Sequence, residues 1–151
     1  MDLKLNAHTV VFWDTAPFIY LIEGHSDFCA PVRELVEECI RVRAQMVTTL
    51  ITYIELLTHP ERLGRTDLAA RYRMFLTNSE NLSIHPFNLH VADECIRIRA
   101  EYGFKTPDAI QLAVARACGA SLLVTNDAAW KRCTDCNVAL VSELVQSRPK
   151  T

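Results

Sequence analysis

The sequence predicts an α/β domain: a parallel sheet with helices on both faces. Three observations carry that prediction. Short apolar runs without polar alternation, such as Val10–Trp13 and Leu122–Val124, have the pattern of strands buried on both faces. Between them lie stretches with apolar residues at i, i+3, i+4 and i+7, the signature of amphipathic helices. The two types alternate along the chain, an order that right-handed crossovers convert into a parallel sheet.

The elements follow in order. His8 to Thr15 (HTVVFWDT) is read as a strand through Trp13 that ends in one carboxylate, Asp14. Asp14 or Thr15 can cap the next helix, Thr15 to Glu23, which Gly24 stops. Pro31 opens a second helix with Val32, Leu35, Val36, Cys39 and Ile40 inward. A strand over Met46 to Leu50 follows. Thr49 or Thr52 caps the helix that carries Glu55, and His59-Pro60 ends it. Thr66 to Asn78 is amphipathic, Leu82 to His85 a short strand, and Asn88 caps a helix from Leu89 to Tyr102 that Gly103 closes. Within it, Arg97 stands at ion-pair spacing from Asp93 and Glu94, which are read as surface groups. Thr106-Pro107-Asp108 starts another helix, with Thr106 as the cap, and Gly119 closes it. Ser121 to Thr125 is a buried strand leading to Asn126-Asp127. The last strand is a weaker run over Ala139 to Val141.

Length and composition bound the function. At 151 residues, half of them apolar, the chain is read as one domain over 1–151 with a single core. No apolar run reaches the length of a membrane span, and the start, MDLKLNAH, lacks the layout of a secretion signal, so a cytoplasmic protein is expected. Cys29, Cys39, Cys95 and Cys118 lie in apolar surroundings and read as core thiols. Cys133 and Cys136 form a single CxxC, which fits a redox-active pair or half of a zinc site; no second pair completes a zinc set, and the five histidines have no ligand spacing. A net charge of −2 excludes coating of nucleic acid by bulk attraction while leaving room for a local basic rim. Arg62, Arg65, Arg71 and Arg73 form one candidate rim; Arg97, Arg99 and Lys105 form a second basic group.

Asp14, Glu55, Asp108 and Asp127 share a property. Each lies where a strand gives way to a helix or in the first turns of a helix, and on a parallel sheet those points gather at one edge. Carboxylates converging there repel one another unless a cation is present. Oxygen donors without cysteine or histidine favour Mg²⁺ or Mn²⁺. Such an ion serves phosphodiester cleavage by lowering the pKa of a bound water, aligning it for attack and neutralising charge on phosphate. The spacing equally allows some of these acids to be helix caps.

The blocks VVFWDTAPFIYLIEG, ITYIELLTHP, KTPDAIQLAVA and LLVTNDAAW resemble the acidic motifs of the PIN domain ribonucleases, which include VapC-type toxins. The likeness runs from about Thr9 to Val141, with all four blocks in order. It implies a Rossmann-like α/β/α sandwich with four to five parallel strands and Mg²⁺- or Mn²⁺-dependent cleavage of RNA. It also implies a frequent homodimer and, for toxin members, an antitoxin that blocks the site. By the resemblance, Asp14, Asp108 and Asp127 hold the metal, and Glu55 is a ligand or orients the attacking water. Thr15, Thr125 and Asn126 are polar neighbours of the acids. Arg62, Arg65, Arg71 and Arg73 are the candidates to meet RNA phosphates, and Tyr53, Leu56, Tyr72 and Phe75 offer apolar surface to a second copy or to the core. The chain departs from the pattern at Ala16, where many relatives carry asparagine. Two other classes compete. A non-catalytic binding module would keep the fold without the chemistry. A phosphate-accepting receiver domain would need paired early acids and a late lysine, which this chain lacks.

Overall fold

The computed structural model describes residues 3–146. The ends of the 1–151 domain reading, including Met1 and Asp2 of the leader reading, lie outside the described residues. Five strands, β1 (Val10–Trp13), β2 (Gln45–Thr49), β3 (Leu82–His85), β4 (Leu122–Thr125) and β5 (Val138–Leu140), form one sheet in the order β3-β2-β1-β4-β5. Every pairing is parallel, with Val11 opposite Met46 on one side and Leu122 on the other. Among the described residues, α1 (Thr15–Glu23), α2 (Cys29–Val42), α3 (Leu50–Arg62), α4 (Thr66–Asn78), α5 (Leu89–Tyr102) and α6 (Thr106–Ala117) lie in pairs between successive strands up to β4, and α7 (Val141–Gln146) follows β5.

The apolar runs are non-alternating because both faces of the sheet are covered. On β1, Val11 and Trp13 join a cluster with Phe18, Val32, Leu56 and Tyr72, whereas Phe12 joins Val91, Ile98, Leu112 and Trp130 on the other side. Val11, Phe12 and Trp13 are fully buried. The chain builds outward from β1 through β2 to β3, then returns to place β4 on the other flank of β1. Strand order therefore reverses between β1 and β4, and ligand crevices in such sheets open outside the carboxyl ends of the strands at that reversal. Asp14 stands there: its backbone N–H donates to the Val124 carbonyl at 2.9 Å.

Several boundaries correct the sequence reading. Helix α2 begins at Cys29, with Pro31 inside its first turn, where a missing N–H costs nothing. Helix α3 runs through Pro60 to Arg62, because a proline near the helix end forfeits one intrahelical bond while the chain beyond it stays helical, the N–H of Leu63 at the cap still reaching the His59 carbonyl at 3.2 Å. Thr106 is the first residue of α6 rather than its cap; Lys105 holds the cap position and no side chain bonds there. Ala128–Arg132 forms a 3₁₀ helix and Val141 opens α7, two short elements without a periodic signature. Of the two cap candidates for α3, Thr49 holds the position and accepts from the Thr52 N–H at 3.2 Å; Asn88 caps α5 as expected, accepting from the Val91 N–H at 3.0 Å. Leu56 and Tyr72 are buried in the core, and Tyr53 and Phe75 pack against it. No helix among the described residues is long and apolar enough to cross a membrane.

Candidate acidic active site

Asp14 occupies the cap position of α1, yet its side chain makes no capping bond. The carboxylate is instead held from two other elements. Thr125, buried at the end of β4, donates its hydroxyl to Oδ2 at 2.7 Å, and Gln111 on α6 donates Nε2–H to Oδ1 at 3.2 Å. Burial pushes the Asp14 carboxyl above its ordinary value of 3.8. The Thr125 hydroxyl, the Thr15 N–H and Gln111 pull it back down, and the charge of Asp108 pushes it up again. Burial prevails, and Asp108 is close enough to be felt.

Gln111 is the residue that sequence reasoning missed. It is 2% exposed, on the face of α6 that also carries Leu112 and Ala115 into the interior. Its Oε1 accepts the Thr49 hydroxyl, and its Nε2 donates to Thr52 Oγ1 at 2.8 Å as well as to Asp14. These contacts assign the amide orientation, because a flip would set its oxygen against a carboxylate. The available signal was a polar side chain at a core position of a helix, one turn after Asp108.

The network extends to Glu55. Thr52 Oγ1 lies 3.1 Å from Thr15 Oγ1, and Thr15 donates to Glu55 Oε2 at 2.6 Å. Asp14, Gln111, Thr52, Thr15 and Glu55 therefore form one hydrogen-bonded series across β1, α6, α3 and α1. Glu55 and Asp127 are exposed, and Asp108 is half-buried. Asp127 is tied to the same centre through its N–H, which donates to Thr125 Oγ1 at 3.1 Å. Its Oδ1 accepts from Ala129 N–H at 2.9 Å, so the capping alternative holds for this acid and engages one of its two oxygens.

Other candidates are placed elsewhere. Asn126 turns toward α1 and α7, donating to the Tyr20 hydroxyl at 3.1 Å and accepting from Ser142 N–H at 3.2 Å. Of the arginines, Arg65 pairs with Asp67 at 3.0 Å, Arg71 donates to the Ile22 carbonyl, and Arg73 donates to the Tyr53 hydroxyl at 2.6 Å. Arg62 is exposed at the far end of α3, about 10 Å along the helix axis from Glu55.

The donors around Asp14 suit a hard divalent cation: they offer oxygen alone, and a cation would offset the cost of burying the Asp14 charge beside Asp108. An α/β protein with a buried, hydrogen-bonded carboxylate at its strand reversal is the class these features define. The chain belongs to the PIN domain family, whose model matches residues 11–135. Among solved structures, it is similar to VapBC2 from Rickettsia felis bound to a promoter DNA fragment (TM-score 0.73, 19% identity, 87% of this chain and 98% of that one). A toxin-antitoxin complex from Klebsiella pneumoniae aligns at TM-score 0.68 and 23% identity over 87% of this chain and 97% of the other. FitAcB from Neisseria gonorrhoeae aligns at 0.67 and 18% over 87% and 98%. At these identities the likeness is one of fold. No curated protein matches the chain.

Proposed function

We propose that the protein is an Mg²⁺- or Mn²⁺-dependent endoribonuclease of the VapC toxin type, acting as a homodimer and restrained by an antitoxin. The observation that carries this reading is the Asp14 carboxylate at the strand reversal, free of capping duty and aimed by Gln111 and Thr125. The fold shared with toxins of toxin-antitoxin complexes supports the partner.

In this reading Asp14, Asp108 and Asp127 hold the cation. When bound, it supplies positive charge to the phosphate and acidifies the attacking water. The protein's own part is orientation. Gln111 and Thr125 fix both oxygens of Asp14, so little reorganisation is needed when substrate arrives. Thr15 engages Oε2 of Glu55, directing that carboxylate to orient the attacking water. The exposed Arg62 and the arginines of α4 meet RNA phosphates, which position the strand without reading its sequence.

Asp14→Asn and Asp108→Asn, made separately, are expected to lower Mn²⁺-dependent RNA cleavage by about 100-fold or more with folded protein retained. Full cleavage by both folded variants would overturn the reading. Calorimetric titration with Mn²⁺ separates it from a non-catalytic module, for which no specific binding is expected.

A further inference from the structure

The CxxC segment is not used by the acidic site. Cys133 follows the 3₁₀ helix, and the chain turns so that Cys136 N–H donates to the Cys133 carbonyl at 3.1 Å. The turn brings the two sulfurs to 3.1 Å. A disulfide requires about 2.05 Å, so closure asks for a movement of about 1 Å. Arg116 of α6 faces the pair: Nη2 donates to both oxygens of Asp135 at 2.6 Å and lies 3.5 Å from Cys133 Sγ. Its Nη1 is 3.7 Å from Glu94. Cys133 is fully buried against the Trp130 cluster, while Cys136 is partly exposed.

Cys133, Asp135 and Cys136 also place ligand-type atoms within 4.8 Å of one another. The position a metal would need, however, faces the Arg116 guanidinium, which takes both Asp135 oxygens. Displacing it would strand a cation whose Nε is already buried without a partner. With Asp135 held by Arg116, the feature left to the two sulfurs is their adjacency, which suits a bond between them.

We propose that Cys133 and Cys136 are a reversible disulfide site that exchanges with low-molecular-weight disulfides of the glutathione type. The more accessible Cys136 gives up its proton to solvent, and its thiolate attacks one sulfur of glutathione disulfide. That S–S bond breaks, a Cys136–glutathione mixed disulfide forms, and one glutathione thiolate leaves and takes a proton. Cys133 then loses its proton, and its sulfur attacks Cys136 Sγ to form the intramolecular bond and expel the second glutathione as its thiol. Two cysteine thiols are oxidised and one glutathione disulfide is reduced to two thiols. Burial, with the neighbouring Cys136 and Asp135, pushes the Cys133 thiol up and Arg116 pulls it part of the way back, so the second step draws on the adjacency of the two sulfurs rather than on a standing thiolate. The other four cysteines offer no such pair; Cys39, for one, is fully buried and pushed up to about 12.

The test treats the reduced full chain with glutathione disulfide and maps its thiols by mass spectrometry. One internal Cys133–Cys136 bond is expected, about 2 Da lighter than the dithiol and reversed by dithiothreitol. Cys133→Ala should leave Cys136 as a stable glutathione mixed disulfide, whereas Cys136→Ser should leave Cys133 unmodified in folded protein. Arg116→Gln should slow closure about tenfold. A different pairing, failure of the wild type to close, or stoichiometric zinc uptake that protects both thiols would overturn the proposal. Wild-type mapping decides even if Cys133→Ala fails to fold, and none of these outcomes depends on the acidic site.

Discussion

Burial holds the Asp14 carboxyl above 3.8, so its charge opposes folding. The sign follows from linkage: with the folded pKa raised, the native state binds the proton more tightly than the unfolded chain. The penalty is absent below the unfolded value, grows as pH rises through the folded pKa, and is complete above it. Asp14→Asn removes the charge and keeps the contacts, because Thr125 Oγ1 can accept from the new amide while the amide oxygen accepts from Gln111. In EDTA at neutral pH, Asp14→Asn should therefore unfold at higher urea than the wild type, and the gap should close as pH falls toward 3.8. Saturating Mn²⁺ should reverse the order: about 2.7 kcal/mol of stabilisation is expected for the wild type at 100 times Kd, and none for the variant. An Asp14→Asn protein less stable than the wild type in EDTA would show that this carboxylate is a structural anchor.

Helices α3 and α5 begin alike, each on a side-chain cap, but the caps differ in reach. Asn88 bonds only the start of α5, so Asn88→Ala should cost about 1 kcal/mol in urea unfolding and leave cleavage unchanged. Thr49 caps α3 and donates to Gln111, so Thr49→Ala loses the cap and leaves a buried amide oxygen unpaired, about 2–3 kcal/mol together. Because Gln111 aims Asp14, cleavage by Thr49→Ala should fall about tenfold, with rescue by Thr49→Ser. The difference between these caps marks what was legible in the sequence. Local chemistry announced the caps at Thr49 and Asn88 and the stops at Gly24 and Gly103, whose φ angles of 71° and 74° suit glycine. Apolar runs announced the sheet, and its strand-end position announced Asp14 at the strand reversal. Gln111 was silent because its partners, Asp14, Thr49 and Thr52, come from distant segments that only the packed sheet juxtaposes. The boundaries at Pro31 and Pro60 slipped because a proline is tolerated in a helix's first turn and, when buried, near its last.

If the protein is the nuclease proposed above, its net charge of −2 sets how RNA can be held. A nuclease that relied on a basic track would neutralise many phosphates and lose affinity steeply with salt. Here Arg65 is balanced by Asp67, whereas Arg71 and Arg73 donate to neutral groups, the Ile22 carbonyl and the Tyr53 hydroxyl, and with Arg62 keep their charge, a rim of about three cations. About three phosphate contacts correspond to a slope near −2 for log affinity against log salt on single-stranded RNA. Binding of a non-cleavable RNA to the Mn²⁺-loaded protein, measured by fluorescence anisotropy from low to moderate salt, should give that shallow slope. Arg73→Ala should lower it by somewhat less than 1, through loss of one phosphate contact, with the metal affinity unchanged. A slope of −5 or steeper would require an extended cationic path across the molecule, and the α4 rim would then be too small to account for RNA capture.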